Sequence, residues 1–230
     1  IQRGVAAELR RLHQLEPPNL PQATFFELLL DRWAPLVRRT LDSDRSMFPP
    51  DERRLFADLR EVLSDETREK VLRCLPDREP VFCHNDTYHG NAFLLADGRV
   101  RLLDFEFSCR NHAAFDFANF FAETVMEHGL AEPPHFRIGP PRFTDDDLAR
   151  FIGCYVDDGD LTDPARRDDE VARLVEETRT ALMLSDYMYA MAALPLAMNP
   201  IQKIRFIPYA HQRFEKFLRT WDERFGPPAR

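Results

Sequence analysis

Glycine is scarce: the 230 residues contain 8, and none sits in a glycine-rich cluster. A loop that cradles nucleotide phosphates needs several glycines so that backbone amides can approach the anion, so no such loop is expected within this chain. Cysteine is equally sparse. Cys74, Cys83, Cys109 and Cys154 lack the short paired spacing of a zinc site or a disulfide framework, and free thiols in a reducing cytoplasm are the expected state. No apolar run approaches the roughly 20 residues of a membrane span, and the opening residues do not form a signal sequence. Positive charge is in deficit, with 31 Lys and Arg against 39 Asp and Glu, a net charge of −8. Nucleic acid is therefore not an expected partner, because phosphate binding needs clustered Lys and Arg. Internal repeats and low-complexity tracts are also missing.

What remains is an ordinary globular balance, 44% hydrophobic and 30% charged, long enough for one large domain or two small ones. Ile1, Val5, Leu9, Leu12 and Leu15 recur at helical spacing from the first residue, so the chain is expected to be a piece of a longer protein. Glu16-Pro17-Pro18 ends that helix. A second helix is expected over 23–41, kinked or divided at Pro35. A third covers 51–63 with Leu55, Leu59, Val62 and Leu63 on one face, and a short one covers 66–75. The period then changes. Pro80 to Cys83 reads as a strand, and 91–95 with 100–105 read as a hairpin turning at Asp97-Gly98. Helical spacing resumes over 115–127, and 130–143, with four prolines, reads as a surface loop. Thr144 and three aspartates start a helix through Tyr155, Thr162-Asp163-Pro164 starts another that reaches about Ala197, and the last, from Pro208, stops at Gly226-Pro227-Pro228. The expected class is α+β, mostly helical, around a small antiparallel insert.

The chemistry concentrates in 81–123. His84-Asn85-Asp86 is followed by Asn91, and one hairpin later by Leu103-Asp104-Phe105-Glu106. Phosphoryl transfer needs this order of groups: one carboxylate to take the acceptor hydroxyl proton, then an amide and a second carboxylate to hold a divalent cation on the phosphates. Alone, each is commonplace, since Asp86 reads equally as a turn carboxylate and Asp104 as a strand-end acid. The set at this separation is rare by chance.

These motifs resemble the protein-kinase-like superfamily in its aminoglycoside-phosphotransferase and choline-kinase branch. FCHND, LLDFEF, the Phe-Asp-Phe-Ala-Asn-Phe-Phe-Ala-Glu run at 115–123 and the closing Tyr-Ala-His-Gln-Arg-Phe at 209–214 resemble the choline/ethanolamine kinase family, over almost the whole chain. The resemblance implies the C-terminal, substrate-binding lobe of a kinase-like fold, with the nucleotide lobe not present in this chain. It implies Asp86 as catalytic base, Asn91 and Asp104 as Mg2+ ligands, and His84, Asp116 and Asn119 as structural support. Glu106, Phe107, Glu123, Tyr189 and Tyr209 become candidates for binding the amino alcohol, with Tyr187 and Phe206 better read as core. The implied activity is transfer of phosphate from ATP to choline or ethanolamine, the first step towards their phospholipids, in the cytoplasm, with this segment alone expected not to turn over ATP efficiently. A homodimer is left open.

The chain departs from the family pattern in places. Where the family presents two tryptophans one turn apart, Tyr189 and Ala192 stand here, and Tyr88-His89 replaces the usual pair in the catalytic loop. A thinner aromatic set makes ethanolamine at least as good a fit as choline. Two alternatives stay open: a kinase of another small cationic alcohol such as an aminoglycoside, and a non-catalytic amine-binding lobe.

Overall fold

The computed structural model describes residues 2–157, 163–199, 201 and 203–226. Ile1, Thr162, Pro227 and Pro228, which the sequence reading placed at helix ends, lie outside them. The helices are α1 (Gln2–His13), α2 (Phe25–Leu41), α3 (Pro50–Arg53), α4 (Phe56–Leu59), α5 (Asp65–Arg73), α6 (Ala113–Ala122), α7 (Asp145–Asp157), α8 (Pro164–Leu196) and α9 (Phe206–Phe225). The strands are β1 (Val81–Cys83), β2 (Ala92–Leu94), β3 (Val100–Leu102), β4 (Cys109–Asn111), β5 (Met126–His128) and β6 (Phe136–Ile138). They form three antiparallel pairs among the described residues, β1 with β4, β2 with β3 and β5 with β6. Mostly helical architecture is as expected, and the β content is more dispersed than one insert. Among the described residues no helix is long and apolar enough to cross a membrane, and all four cysteines are free.

The chain forms two compact units. One comprises Ile1–Phe25, Pro76–Val125 and Pro140–Leu182, the other Phe26–Leu75, Met126–Gly139 and Met183–Arg230. The core of the first unit is built on α1, whose Val5, Ala6, Leu9 and Leu12 are buried against Leu148, Phe151, Ile152 and Tyr155 of α7, Phe117 of α6, and Val100 and Leu102 of β3. Gly4 allows that approach: a Cβ there would lie 2.6 Å from Val100 Cγ2. Phe120 stacks on Phe151 with ring centres 5.3 Å apart, and Phe117 meets Phe151 edge-on at 5.7 Å. The β2–β3 hairpin turns at Asp97-Gly98, where Gly98 has φ +81°, a conformation open to glycine at no steric cost.

In the second unit the expected helix over 51–63 divides into α3, α4 and a 3-10 turn, Arg60–Leu63. Phe56, Leu59 and Val62 all have no exposed surface. Their spacing of three matches the tighter 3-10 winding, which aligns side chains every third residue. α2 runs unbroken through Pro35, so the two-helix alternative is not taken. The expected loop 130–143 contains β6, paired with β5 at Met126↔Ile138 and His128↔Phe136. Its four prolines flank the strand and remove no ladder donor. The helix expected to reach Glu127 stops at Ala122, because Thr124 and Val125 lead into β5 and the Thr124 hydroxyl donates to Phe121 O at 2.6 Å.

α8 and α9 bring together a buried ion pair in the second unit. Arg213 Nη1 donates to Asp186 Oδ1 at 2.7 Å, and Lys216 Nζ pairs with Asp186 Oδ2 at 2.8 Å. Arg213 has no exposed surface. Removing one partner of such a pair strands a buried charge, which costs about 3–5 kcal/mol. Asp186→Leu is therefore expected to lower unfolding stability by that amount in urea titration, and Asp186→Leu with Arg213→Met together to recover more than half of it. Equal losses in the single and double variants would show that the pair is not what the helices depend on.

Candidate active site

β1 delivers the chain to its most constrained turn. Asn85, immediately after His84, adopts φ +67°, a left-handed conformation that asparagine tolerates better than most residues. The turn points two successive amides at one carboxylate: His84 N–H donates to Asp116 Oδ2 at 2.8 Å, and Asn85 N–H to Asp116 Oδ1 at 2.7 Å. The Thr87 hydroxyl donates to Asp116 O at 2.6 Å and lies 3.4 Å from Asn119 Oδ1. Asp116 and Asn119 lie on α6, buried from Ala114 to Ala122. The loop bearing Asp86 is thus fastened to a core helix by its backbone.

A second set of bonds ties this loop to the one bearing Asp104. His84 Nε2 lies 2.8 Å from Leu103 O, which requires a proton on that nitrogen, so Nδ1 accepts the Asp86 N–H at 3.2 Å. One imidazole therefore spans from the backbone of Asp86 to the residue preceding Asp104. Asn85 adds a second tie, its Nδ2 donating to Phe107 O at 2.9 Å, while its Oδ1 accepts from Asn111 Nδ2 of β4 at 2.7 Å. The strand expected over 100–105 ends at Leu102. Leu103 N–H still donates to Asn91 O at 2.9 Å, and Asp104 then turns away with φ +63°.

Asn91 closes the loop from the other side. Its Nδ2 donates to both Asp86 O and Asp86 Oδ2 at 2.9 Å. The amide nitrogen is thereby committed to the carboxylate, which fixes the Asp86 side chain and leaves Oδ1 as the Asn91 atom suited to a hard cation. Asp86 is half-buried, whereas Asp104 and Glu106 are exposed. Glu123 is buried and stands just past α6, in a 3-10 turn (Glu123–Val125), so of the three residues expected on one helix face only Asp116 and Asn119 are in the helix. Phe107, expected as an aromatic wall, enters this network through its carbonyl.

Sequence reasoning did not assign His13. It is the last residue of α1, buried, with Nε2 3.0 Å from Asp116 Oδ2 and Nδ1 3.0 Å from the Tyr155 hydroxyl of α7. In the sequence it follows the apolar stripe of α1 and, with Leu12, opens the stretch that resembles the family, with no role assigned to it. His13, Cys83 and Asp116 place ligand atoms within 4.8 Å of one another. They do not suit a metal, because both Asp116 oxygens are occupied by hydrogen bonds, and burial together with the Asp116 charge pushes the Cys83 thiol well above its ordinary range.

Tyr189 and Tyr209 belong to the second unit, where both rings face Arg213: its guanidinium carbon lies 4.9 Å from the centre of Tyr189 and 5.3 Å from that of Tyr209. Tyr187 is core, its hydroxyl donating to Val62 O at 3.1 Å, and Phe206 packs edge-on to Tyr209.

A family model described as choline/ethanolamine kinase matches residues 1–218. A choline/ethanolamine kinase of Rattus norvegicus is 27% identical over 227 residues, covering 94% of this chain and 55% of that protein. In fold, the chain is similar to a choline kinase from Cryptosporidium parvum, with a TM-score of 0.69 at 18% identity over 97% of this chain and 65% of that one. An ethanolamine kinase of Plasmodium vivax gives a TM-score of 0.66 at 19% identity, covering 94% and 58%. The chain spans little more than half the length of the rat relative. With the match running through nearly all of its residues, this chain belongs to the choline/ethanolamine kinase family.

Proposed function

We propose that this chain is the substrate-binding and catalytic lobe of a kinase that transfers the γ-phosphate of ATP to the hydroxyl of ethanolamine or choline, with the nucleotide lobe lying outside the sequence. The observation that carries this reading is the double tether at Asp86. Its carboxylate is held by Asn91 Nδ2, and its backbone is fixed through His84 to the loop of Asp104. A general base contributes only when it is held within hydrogen-bonding reach of the proton it removes, and this tethering limits the positions Asp86 can sample.

In the proposed reaction Asp86 accepts the proton of the acceptor hydroxyl, the freed oxygen bonds to the γ-phosphorus, and the bond from that phosphorus to the bridging oxygen breaks to release ADP. Glu123, buried at the end of α6, and Glu106, exposed beyond Asp104, supply negative charge for the substrate ammonium. The donor set suits Mg2+: Asn91 Oδ1 and the Asp104 carboxylate are hard oxygen donors, and two protein ligands leave the remaining octahedral positions to phosphate and water. When bound, the ion would neutralise charge on the phosphates.

Three outcomes follow for the intact protein. Asp86→Asn is expected to lower kcat by about 10²–10⁴-fold, the usual contribution of a general base, in an assay coupled to ADP release, and near wild-type turnover would remove Asp86 from that role. Glu123→Gln is expected to raise KM for the amino alcohol about 10–100-fold, the range for losing a charged hydrogen-bond partner of about 1.5–3 kcal/mol, with KM for ATP changing little. An equal rise in both would place Glu123 elsewhere. Asp116→Ala is expected to accelerate amide hydrogen exchange at His84 and Asn85 by at least about tenfold, and unchanged exchange there would show that the loop is held without that carboxylate.

A further inference from the structure

Three hydrogen bonds in series join Tyr155 of α7 to the loop that carries Asp86, and every group in them belongs to the first unit. The Tyr155 hydroxyl meets His13 Nδ1 at 3.0 Å, His13 Nε2 meets Asp116 Oδ2 at 3.0 Å, and that oxygen accepts the His84 N–H at 2.8 Å. The donors and acceptors fix where each proton lies. An ionised carboxylate only accepts, so His13 carries a proton on Nε2. Tyr155 keeps its own proton, because burial pushes the hydroxyl up to about 12 against the pull of the Arg10 charge beside it. That proton has no other acceptor among the described residues, so it goes to His13 Nδ1, which is then the unprotonated nitrogen. Water does not compete, since the His13 side chain is 2% exposed. Phe117 seals the pair, edge-on to Tyr155 at 4.7 Å and 6.0 Å from the His13 ring.

We infer that Tyr155 is a positioning residue for the proposed phosphoryl transfer: its hydroxyl holds the ring and tautomer of His13, and through Asp116 these set where Asp86 stands. This rests on the kinase reading above and deepens it. Which imidazole nitrogen carries the proton follows from what the other one meets. Asp116 answers one side of the ring and Tyr155 the other. With the hydroxyl gone, a buried nitrogen is left without a partner. The ring relieves this by moving its proton to Nδ1 or by turning off Asp116, and either response weakens the Nε2–H bond to the carboxylate. Asp116 then shifts, and the loop follows, because the His84 and Asn85 amides are bonded to its two oxygens. Asp86 comes next in the chain, with its own N–H held by His84 Nδ1. A misplacement of about 1 Å costs about 10²-fold in rate, so a hydroxyl on α7 reaches the chemistry without touching the substrate.

The test is Tyr155→Phe, which removes the hydroxyl and keeps the ring that packs on Phe117. In the intact protein, assayed by ADP release, kcat is expected to fall about tenfold. KM for the amino alcohol and for ATP is expected to stay unchanged, the pattern of a group that acts on the reacting geometry and not on binding. An unchanged kcat in the folded variant, or a loss carried by KM, overturns the inference. A second measurement needs no turnover: the imidazole nitrogen resonances of isotopically labelled histidine, with those of His13 assigned by their loss in His13→Gln. In the wild-type protein a proton on Nε2 and none on Nδ1 supports the inference, and the opposite tautomer or a proton on both nitrogens overturns it. In Tyr155→Phe the Nε2 proton is expected to exchange with water at least about tenfold faster, and unchanged exchange overturns it. If the intact protein phosphorylates neither amino alcohol, the kinase reading fails, and the nitrogen spectra still decide whether Tyr155 holds His13.

Discussion

A carboxylate without exposed surface cannot rely on water, so every lone pair it keeps must be answered by the protein. Asp116 is such a group, and the geometry of the first unit follows from how it is answered. Two backbone amides of the catalytic loop and His13 Nε2 converge on its oxygens, and Thr87 secures its own carbonyl. These donors come from two stretches of chain, α1 and the loop after β1, so the carboxylate, itself on α6, is satisfied only when α1, α6 and that loop are all in place. The apolar packing of α1 on α7 and α6 supplies the bulk of the driving force. The buried acid specifies the register in which that packing must settle. Tyr155 extends the chain of contacts by one member, holding the far nitrogen of His13 from α7.

The same economy explains why two non-glycine residues of the candidate site accept left-handed backbone. Asn85 and Asp104 each have φ near +65°, a conformation that costs about 1 kcal/mol or more outside glycine and persists where the surroundings over-determine it. At Asn85 the surroundings are explicit: its amide, its side-chain nitrogen and its side-chain oxygen are all bonded. The result is a turn that presents the next residue, Asp86, half-buried beside Asn91. At Asp104 the turn ends β3 one residue after its last ladder bond and leaves the carboxylate exposed. Burial is thus distributed by task. The acid that braces is fully desolvated, the acid proposed as base is partly so, and the acid proposed as a metal ligand stands in solvent where an ion and its waters can reach it.

Periodicity made the long, amphipathic elements legible. α1, α7, α8 and α9 emerge from spacing and proline placement, and the β2–β3 hairpin from Asp97-Gly98. The short elements were hidden for identifiable reasons. Phe56, Leu59 and Val62 fit a three-residue period that a helical template blurs into its own, and β6 is a three-residue strand inside a proline-dense stretch. β4 carries Cys109, Arg110 and Asn111, which have no strand signature, and it becomes a strand by pairing with β1. In the site, the polar order of Asp86, Asn91 and Asp104 was visible because those residues are few and distinctive. His13 was not, because a lone histidine beside an apolar stripe carries no mark of a partner 103 positions away. Long-range hydrogen bonding of this kind is a property of the packing and has no local code.

Aromatic residues are where the sequence says least about role. A tyrosine near the end of a helix can wall a ligand or clasp a side chain, and composition does not separate the two. What separates them is the company of the ring. Arg213 reaches Tyr189 and Tyr209 from α9 because Asp186, on α8, anchors its guanidinium. A buried arginine needs such an anchor, since desolvating the charge would otherwise outweigh what two rings return. The carboxylate at 186 therefore decides what the rings do. With it in place, the two rings pack on a cation that is covalently part of the fold.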